Sequence, residues 1–302
     1  MKINTWTPRG LQRRMALWIS LLVIAGLVVL GVSERSMIGM NKSVVSQDAN
    51  TQASVPYGES QNLKNPLLAH RAEQIVSTFE NSILTIVYDN AENINDGRGI
   101  TAGRAGFTSG TGDLLEVVKK YSVYKPSNPL IKYLPALTQD NRTDSIAGLE
   151  NFPADWKHAV DTDPALVKAQ NDVYDDLYFK PALKMAQSAG VTTGVGQLII
   201  LDTIIQHGEG NDPDGLPAII HKTVAQVGNI KGNEQAWLKI FLAKRRAVLQ
   251  DPSDKSTTAA WRESVPRVDA LLSILNSNNP TLSHTINWKV YGDTYSLPSV
   301  SL

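Results

Sequence analysis

Val195-Gly-Gln-Leu-Ile-Ile-Leu-Asp-Thr-Ile-Ile205 decides the fold. Nearly every residue in it is apolar, and a helix apolar all round belongs at the centre of a core. Asp202 stands inside this run, and a buried carboxylate is expensive unless it is paired and hydrogen-bonded. Two later helical patterns supply partners. Arg245 falls on the face defined by Leu238, Phe241, Leu242 and Leu249, and Arg267 lies among Val265, Val268, Leu271 and Leu272. One buried acid and two arginines on apolar faces predict an ion-pair network.

Working outward, Leu68, Ala72, Ile75, Val76, Phe79 and Ile83 recur at helical spacing and predict a helix over 66–84. Thr85–Tyr88 reads as a short strand and Ile100–Phe107 as its return, around turn chemistry at Asp96-Gly-Arg-Gly99. Asp113 and Glu116 have capping-box spacing at the start of the next helix. Further helical patterns cover 128–137, 164–178, 181–189, 195–207, 216–227, 235–249 and 259–275. The tail with Trp288, Tyr291 and Tyr295 reads as irregular. The expectation is a mainly α protein with one small β element near its start.

The chain has 302 residues, 29 Lys+Arg against 29 Asp+Glu, and no Cys. A disulfide framework, a thiolate metal site and a Cys nucleophile are excluded. Zero net charge excludes a strongly basic nucleic-acid binder. Residues 66–302 carry 22 bases and 26 acids, a balance compatible with a cationic substrate and unfavourable to an anionic one. Arg13-Arg14 precede the uncharged run Met15–Val32, near the lower length limit for a membrane span and long for a signal-peptide core. The basic flank predicts a cytoplasmic N-terminus and export of the rest. Residues 1–33 thus read as a signal peptide or signal-anchor, 34–65 as a polar linker, and 66–302 as the folded body. The body is expected to be secreted or periplasmic, or tethered to the membrane through residues 15–32 alone.

Common site motifs fail. Gly97-Arg-Gly99-Ile-Thr-Ala102 matches a dinucleotide fingerprint in letters, but polar residues precede it where a strand is needed. There is no Walker A, no G-x-S-x-G and no H-E-x-x-H, and Asn211–Gly215 lacks EF-hand spacing. No metal site is expected. What remains is a pair of carboxylates, Glu80 near the end of the first helix and Asp96 at the Gly-rich turn. A helix followed by a hairpin can bring such groups face to face, and glycoside hydrolysis needs two carboxyls flanking the scissile bond. A solvated helix residue and an Asp-Gly turn residue are the plain alternatives.

Phe79-Glu-Asn-Ser82, Asp96-Gly-Arg-Gly-Ile-Thr-Ala-Gly103 and Gly106-Phe-Thr-Ser-Gly-Thr-Gly-Asp113 resemble the signature of glycoside hydrolase family 46, the chitosanases. Later landmarks keep the same order: Lys132–Leu137, Gln170-Asn-Asp172, Tyr178-Phe179, His207–Asp212 and Trp288–Asp293. The resemblance implies a lysozyme-like fold, mainly α, with two lobes around a cleft and a small β-hairpin or sheet. It implies Glu80 as general acid, Asp96 as general base and Thr101 as the hydroxyl positioning the attacking water. Asp202, Arg245 and Arg267 match a charge network supporting the acid. Ser82, Arg98, Asp113 and His207 match substrate-side positions. The implied activity is endo-hydrolysis, with inversion, of β-1,4 bonds in chitosan or glucosamine oligosaccharides. No cofactor or nucleic-acid partner is implied, and a monomer is expected. The alternatives are a lysozyme-like hydrolase of chitin or peptidoglycan, and a non-catalytic glycan-binding protein of the envelope.

Overall fold

The computed structural model of the protein describes residues 60–95, 97–139 and 144–302. The first helix, α1 (Pro66–Glu80), starts on an Asn65 side chain that accepts from the Leu67 amide, with Pro66 in the first turn, where its missing N–H costs nothing. It stops at Glu80, short of the expected residue 84. Asn81 caps it, and Ser82 takes a φ of 58°, outside the helical region. The packed body already includes Leu63, which is fully buried and whose amide donates to Gln197 Oε1 at 2.9 Å.

No strand forms at 85–88. The Tyr88 carbonyl is taken by the Trp156 indole and the Gln170 amide, so it is not available to a ladder. The sheet instead runs β1 (Ala91–Asn93), β2 (Ile100–Ala102) and β3 (Phe107–Thr108), antiparallel with β2 in the middle. Thr101 lies opposite Glu92 on one side and Thr108 on the other. Gly103 ends β2 with φ of 72°. A Cβ there would stand 2.3 Å from Gln170 Oε1 and 2.8 Å from the Trp156 ring, so only glycine lets the turn press onto those two side chains.

Then follow α2 (Asp113–Tyr124), a 3₁₀ turn leading into α3 (Leu134–Gln139), α4 (Phe152–Thr162), α5 (Pro164–Tyr174), α6 (Lys180–Ala189), α7 (Gly194–His207), α8 (Leu216–Val227), α9 (Glu234–Gln250), α10 (Thr258–Glu263) and α11 (Val265–Asn276). Helix α4 has no counterpart in the sequence reading, although Phe152, Trp156 and Ala159 form its buried stripe. A π-helical turn, Asp175–Phe179, joins α5 to α6 without a break. Pro181 explains it: proline has no N–H for an i−4 bond and its ring crowds that carbonyl, so the backbone widens rather than stopping. The expected helix over 259–275 is two helices, parted at Ser264, with Pro266 in the first turn of the second.

The tail is a hairpin, β4 (Ile286–Val290) and β5 (Asp293–Leu297), not an irregular segment. Burial alternates strictly along β4. The two-residue loop Tyr291-Gly292 has φ of 52° and 93°, the positive pair that a tight hairpin turn needs.

Helix α7 is central. All of its residues except Ile205 are buried. It packs against α1, α6, α8, α9, α11 and the π turn. A carboxylate on this helix can therefore be met only by side chains reaching in from its neighbours.

Candidate active site

Glu80 is the last residue of α1, and Arg267 of α11 reaches its carboxylate: Nη2 lies 2.6 Å from Oε1. The same nitrogen lies 2.6 Å from Asp202 Oδ1 in α7. Asp202 Oδ2 in turn faces Arg245 Nη1 of α9 at 2.6 Å, an ion pair whose angles fall outside hydrogen-bond geometry. Asp202 and Arg245 are both fully buried. Burial pushes the Asp202 carboxyl up, but Arg267 and then Arg245 outweigh it and hold the group below its usual range. Burial likewise disfavours the Arg267 cation, and the carboxylates of Asp202 and Glu80 more than restore it. The network expected from apolar-face arginines is present, and it ends on Glu80.

The network continues past Arg245. Its Nη2 donates to Gln206 Oε1, and its Nε donates to His207 Nε2 at 3.2 Å. The imidazole proton therefore sits on Nδ1, which donates to the Asp214 carbonyl at 2.9 Å. The Trp261 ring stands edge-on at 4.9 Å. The sequence placed His207 on the substrate side, but the side chain is buried and both ring nitrogens are occupied, so it serves the network. Burial, then Arg245, depresses its pKa well below the ordinary value.

That depression has a sign. Below about pH 6.5 an unfolded histidine takes up a proton that folded His207 refuses, so stability falls as pH drops below that point and is level above it. The slope is about 1.4 kcal/mol per pH unit for one proton. His207→Gln is expected to flatten the acid side of a plot of unfolding free energy against pH by that amount. An unchanged slope in the variant would show that His207 is not the group responsible.

The β-sheet carries the next residue the sequence singles out. Thr101 is 5 % exposed on the central strand, and its Oγ1 has no hydrogen-bond partner among the described residues. A buried hydroxyl without a protein partner is costly to bury. Asp96 lies outside the described residues. Its chain neighbour Asn95 has a φ of 56° in the loop between β1 and β2.

Asp113 departs from the capping-box expectation. Gly112 is the cap residue, and Glu116 pairs with Lys119 at 2.9 Å. Asp113 Oδ1 instead gathers the Thr108 amide (2.7 Å), the Thr111 hydroxyl (2.7 Å) and the Leu114 amide (3.0 Å). Burial pushes its carboxyl up, and those bonds and the charge of Arg98 pull the other way. Arg98 is held by its backbone: its carbonyl accepts from the Gly110 amide at 2.9 Å. Ser82 follows α1, and its carbonyl accepts from the Tyr295 hydroxyl at 2.9 Å.

Two tyrosines that the sequence reading does not assign to the site are coupled electrostatically to its charged groups. Tyr178 sits in the π turn. Burial raises its pKa well above the ordinary value; Asp113 and Glu80 add to the rise and Arg98 opposes it, so it lies within electrostatic reach of all three. Tyr291 is at the β4–β5 turn. Burial pushes it up to about 12, with Arg267 pulling against and Glu80 and Asp202 adding to the rise. A Tyr-Gly pair between two alternating segments was the available signal for Tyr291. The π turn has no comparable signature.

Residues 74–286 match glycosyl hydrolase family 46. A chitosanase of Bacillus subtilis is 42% identical over 222 residues, covering 72% of this chain and 80% of that protein. A chitosanase of a Nocardioides species is 37% identical over 273 residues, covering 87% and 95%. Among solved structures, a Gynuella sunshinyii chitosanase in complex with chitotetraose aligns with a TM-score of 0.71 at 44% identity, covering 76% of this chain and 97% of that one. A mutant Bacillus subtilis chitosanase complexed with six glucosamine units aligns at 0.70 and 40% identity, covering 76% and 97%. The fold is thus the mainly α, lysozyme-like one expected. With the match covering Glu80, the sheet that carries Thr101 and the buried Asp202 network, the chain belongs to glycosyl hydrolase family 46.

Proposed function

We propose that this protein is an endo-acting chitosanase that cleaves β-1,4 bonds between glucosamine units with inversion. The observation that carries the reading is the grip on Glu80: a carboxyl at a helix end, held through Arg267 by a buried acid. Glu80 donates a proton to the leaving oxygen. Asp96 takes a proton from a water that Thr101 Oγ1 orients, and that water attacks from the opposite face of the sugar. An inverting pair stands about 6.5–9.5 Å apart to admit that water. At mildly acidic pH the polymer is a polycation, and the reading assigns Asp113 to an ammonium group.

Incubation with glucosamine hexamer, with products followed by anomer-resolved NMR, tests this. Release of α-anomer at the new reducing end is expected. β-anomer would preserve the hydrolase and refute Asp96 as base. Cleavage confined to acetylated polymers would favour the chitin or peptidoglycan reading.

We further propose export, on the strength of Arg13-Arg14 ahead of residues 15–32. That run lies outside the described residues, and no helix among the described ones is long and apolar enough to cross a membrane. Full-length protein is expected with membranes or outside the cytoplasm, and a chain beginning at Ser60 is expected to be soluble and active. Insolubility caused by that truncation would place the apolar run in the core instead.

A further inference from the structure

Arg104 lies in the β2–β3 turn, three residues past Thr101, and the acid–base reading makes no use of it. Its side chain is 5 % exposed, with Nη2 3.1 Å from Oε2 of Glu73 in α1. Nη1 donates to Asn171 Oδ1 of α5 at 2.5 Å, and Tyr88 donates to the same oxygen at 2.9 Å. The guanidinium carbon stands 3.9 Å from the centre of the Tyr174 ring and 5.8 Å from that of Tyr88. The Arg104 amide donates to Gln170 Oε1 at 3.0 Å. One residue thereby ties the sheet's turn to α1 and to α5.

Glu73 precedes Glu80 by seven residues. At 3.6 residues per turn the two occupy one face of α1, about 10 Å apart along its axis. The acid's helix is therefore pinned twice on that face, by Arg267 at its end and by Arg104 two turns earlier. The second pin comes from the sheet that carries Thr101. A buried ion pair is a poor source of stability compared with well-packed apolar groups, but its fork geometry fixes direction.

We propose that Glu73 and Arg104 are positioning residues, setting the separation between the helix that ends in Glu80 and the sheet that carries Thr101. This rests on the acid–base reading above. Catalysis across such a gap is sensitive to placement, and a shift of about 1 Å can cost on the order of 100-fold.

The test is steady-state kinetics of the full chain on glucosamine hexamer at 25 °C, with thermal melts alongside, for Glu73→Gln, Arg104→Met, Arg104→Lys and Glu80→Gln. Glu73→Gln and Arg104→Met are expected to lower kcat about 10–100-fold with KM within about twofold of the parent. Arg104→Lys, which keeps the charge and loses the fork, should recover part of that loss. A purely structural pair would lower Tm and leave kcat unchanged below the transition. Parental kcat in folded Glu73→Gln overturns the proposal, and so does a rise in KM at constant kcat. Should Arg104→Met fail to fold, Glu73→Gln and Arg104→Lys decide alone. Parental activity in Glu80→Gln sinks the acid–base reading itself. Inactive Glu80→Gln beside fully active Glu73→Gln sinks only the positioning role.

Discussion

Glu80→Gln is expected to abolish nearly all turnover while the protein stays folded and still binds glucosamine oligomers. The amide is isosteric and its carbonyl oxygen can still accept from Arg267 Nη2, which lies 2.6 Å from Oε1, so the local structure has no reason to change. On the proposed mechanism, what disappears is the proton for the leaving oxygen. Asp96→Asn should act similarly by removing the group to which the same mechanism assigns activation of water. General acid or base help is worth roughly 10²–10⁴-fold each, so both rates should fall by that order. Initial rates on the hexamer, circular dichroism and calorimetric binding check the three parts separately. Near-parental activity in either folded variant would remove the central claim.

The second large effect is expected at Asp202. Removing it leaves the guanidiniums of Arg245 and Arg267 buried with no acid between them, because Asp202 is the carboxylate both of them meet. Breaking one partner of a buried pair costs about 3–5 kcal/mol. For a body of this size that corresponds to a drop of about 6–20 °C in melting temperature. Asp202→Ala and Arg245→Ala should each show it, and each should lower kcat at temperatures where the protein remains folded, because Arg267 would no longer be held against Glu80. Losses in the double variant should be less than the sum of the singles, since one network cannot be broken twice. Additive losses would mean that the two side chains act separately. A stability loss with unchanged kcat would reduce the network to a structural salt bridge.

The buried network was legible before any coordinates because burial and charge conflict visibly in a sequence. An Asp in an all-apolar helix and arginines on apolar faces state that compensation exists, and periodicity places each on its helix. Periodicity also located most helices within a few residues. It failed where a local irregularity shifts the phase. The π turn at Asp175–Phe179 adds backbone without interrupting the helix, and Pro181 therefore looked like a stop. Helix α4 was passed over although Pro153 sits in its first turn, as a helix start often has it. At the strand expected over 85–88, side chains from α4 and α5 claim the Tyr88 carbonyl from 68 and 82 residues away, an event that local sequence cannot announce.

By itself, then, the sequence determined the class of the fold, the centrality of α7 and the order of the candidate catalytic groups along the chain. The first two follow from local rules, helical period and the cost of burying charge, and the third from the resemblance that the ordered motifs carry. Only the tertiary structure decided which groups meet. It brought Arg267 rather than Arg245 to Glu80, moved His207 from the substrate side into the network, and ended the tail in a hairpin whose Tyr291 comes within electrostatic reach of the acid. It also joined Glu73 to Arg104 across the sheet's turn. Such pairings depend on how far helices and strands lie from one another in space, and spacing along the chain carries no measure of that distance.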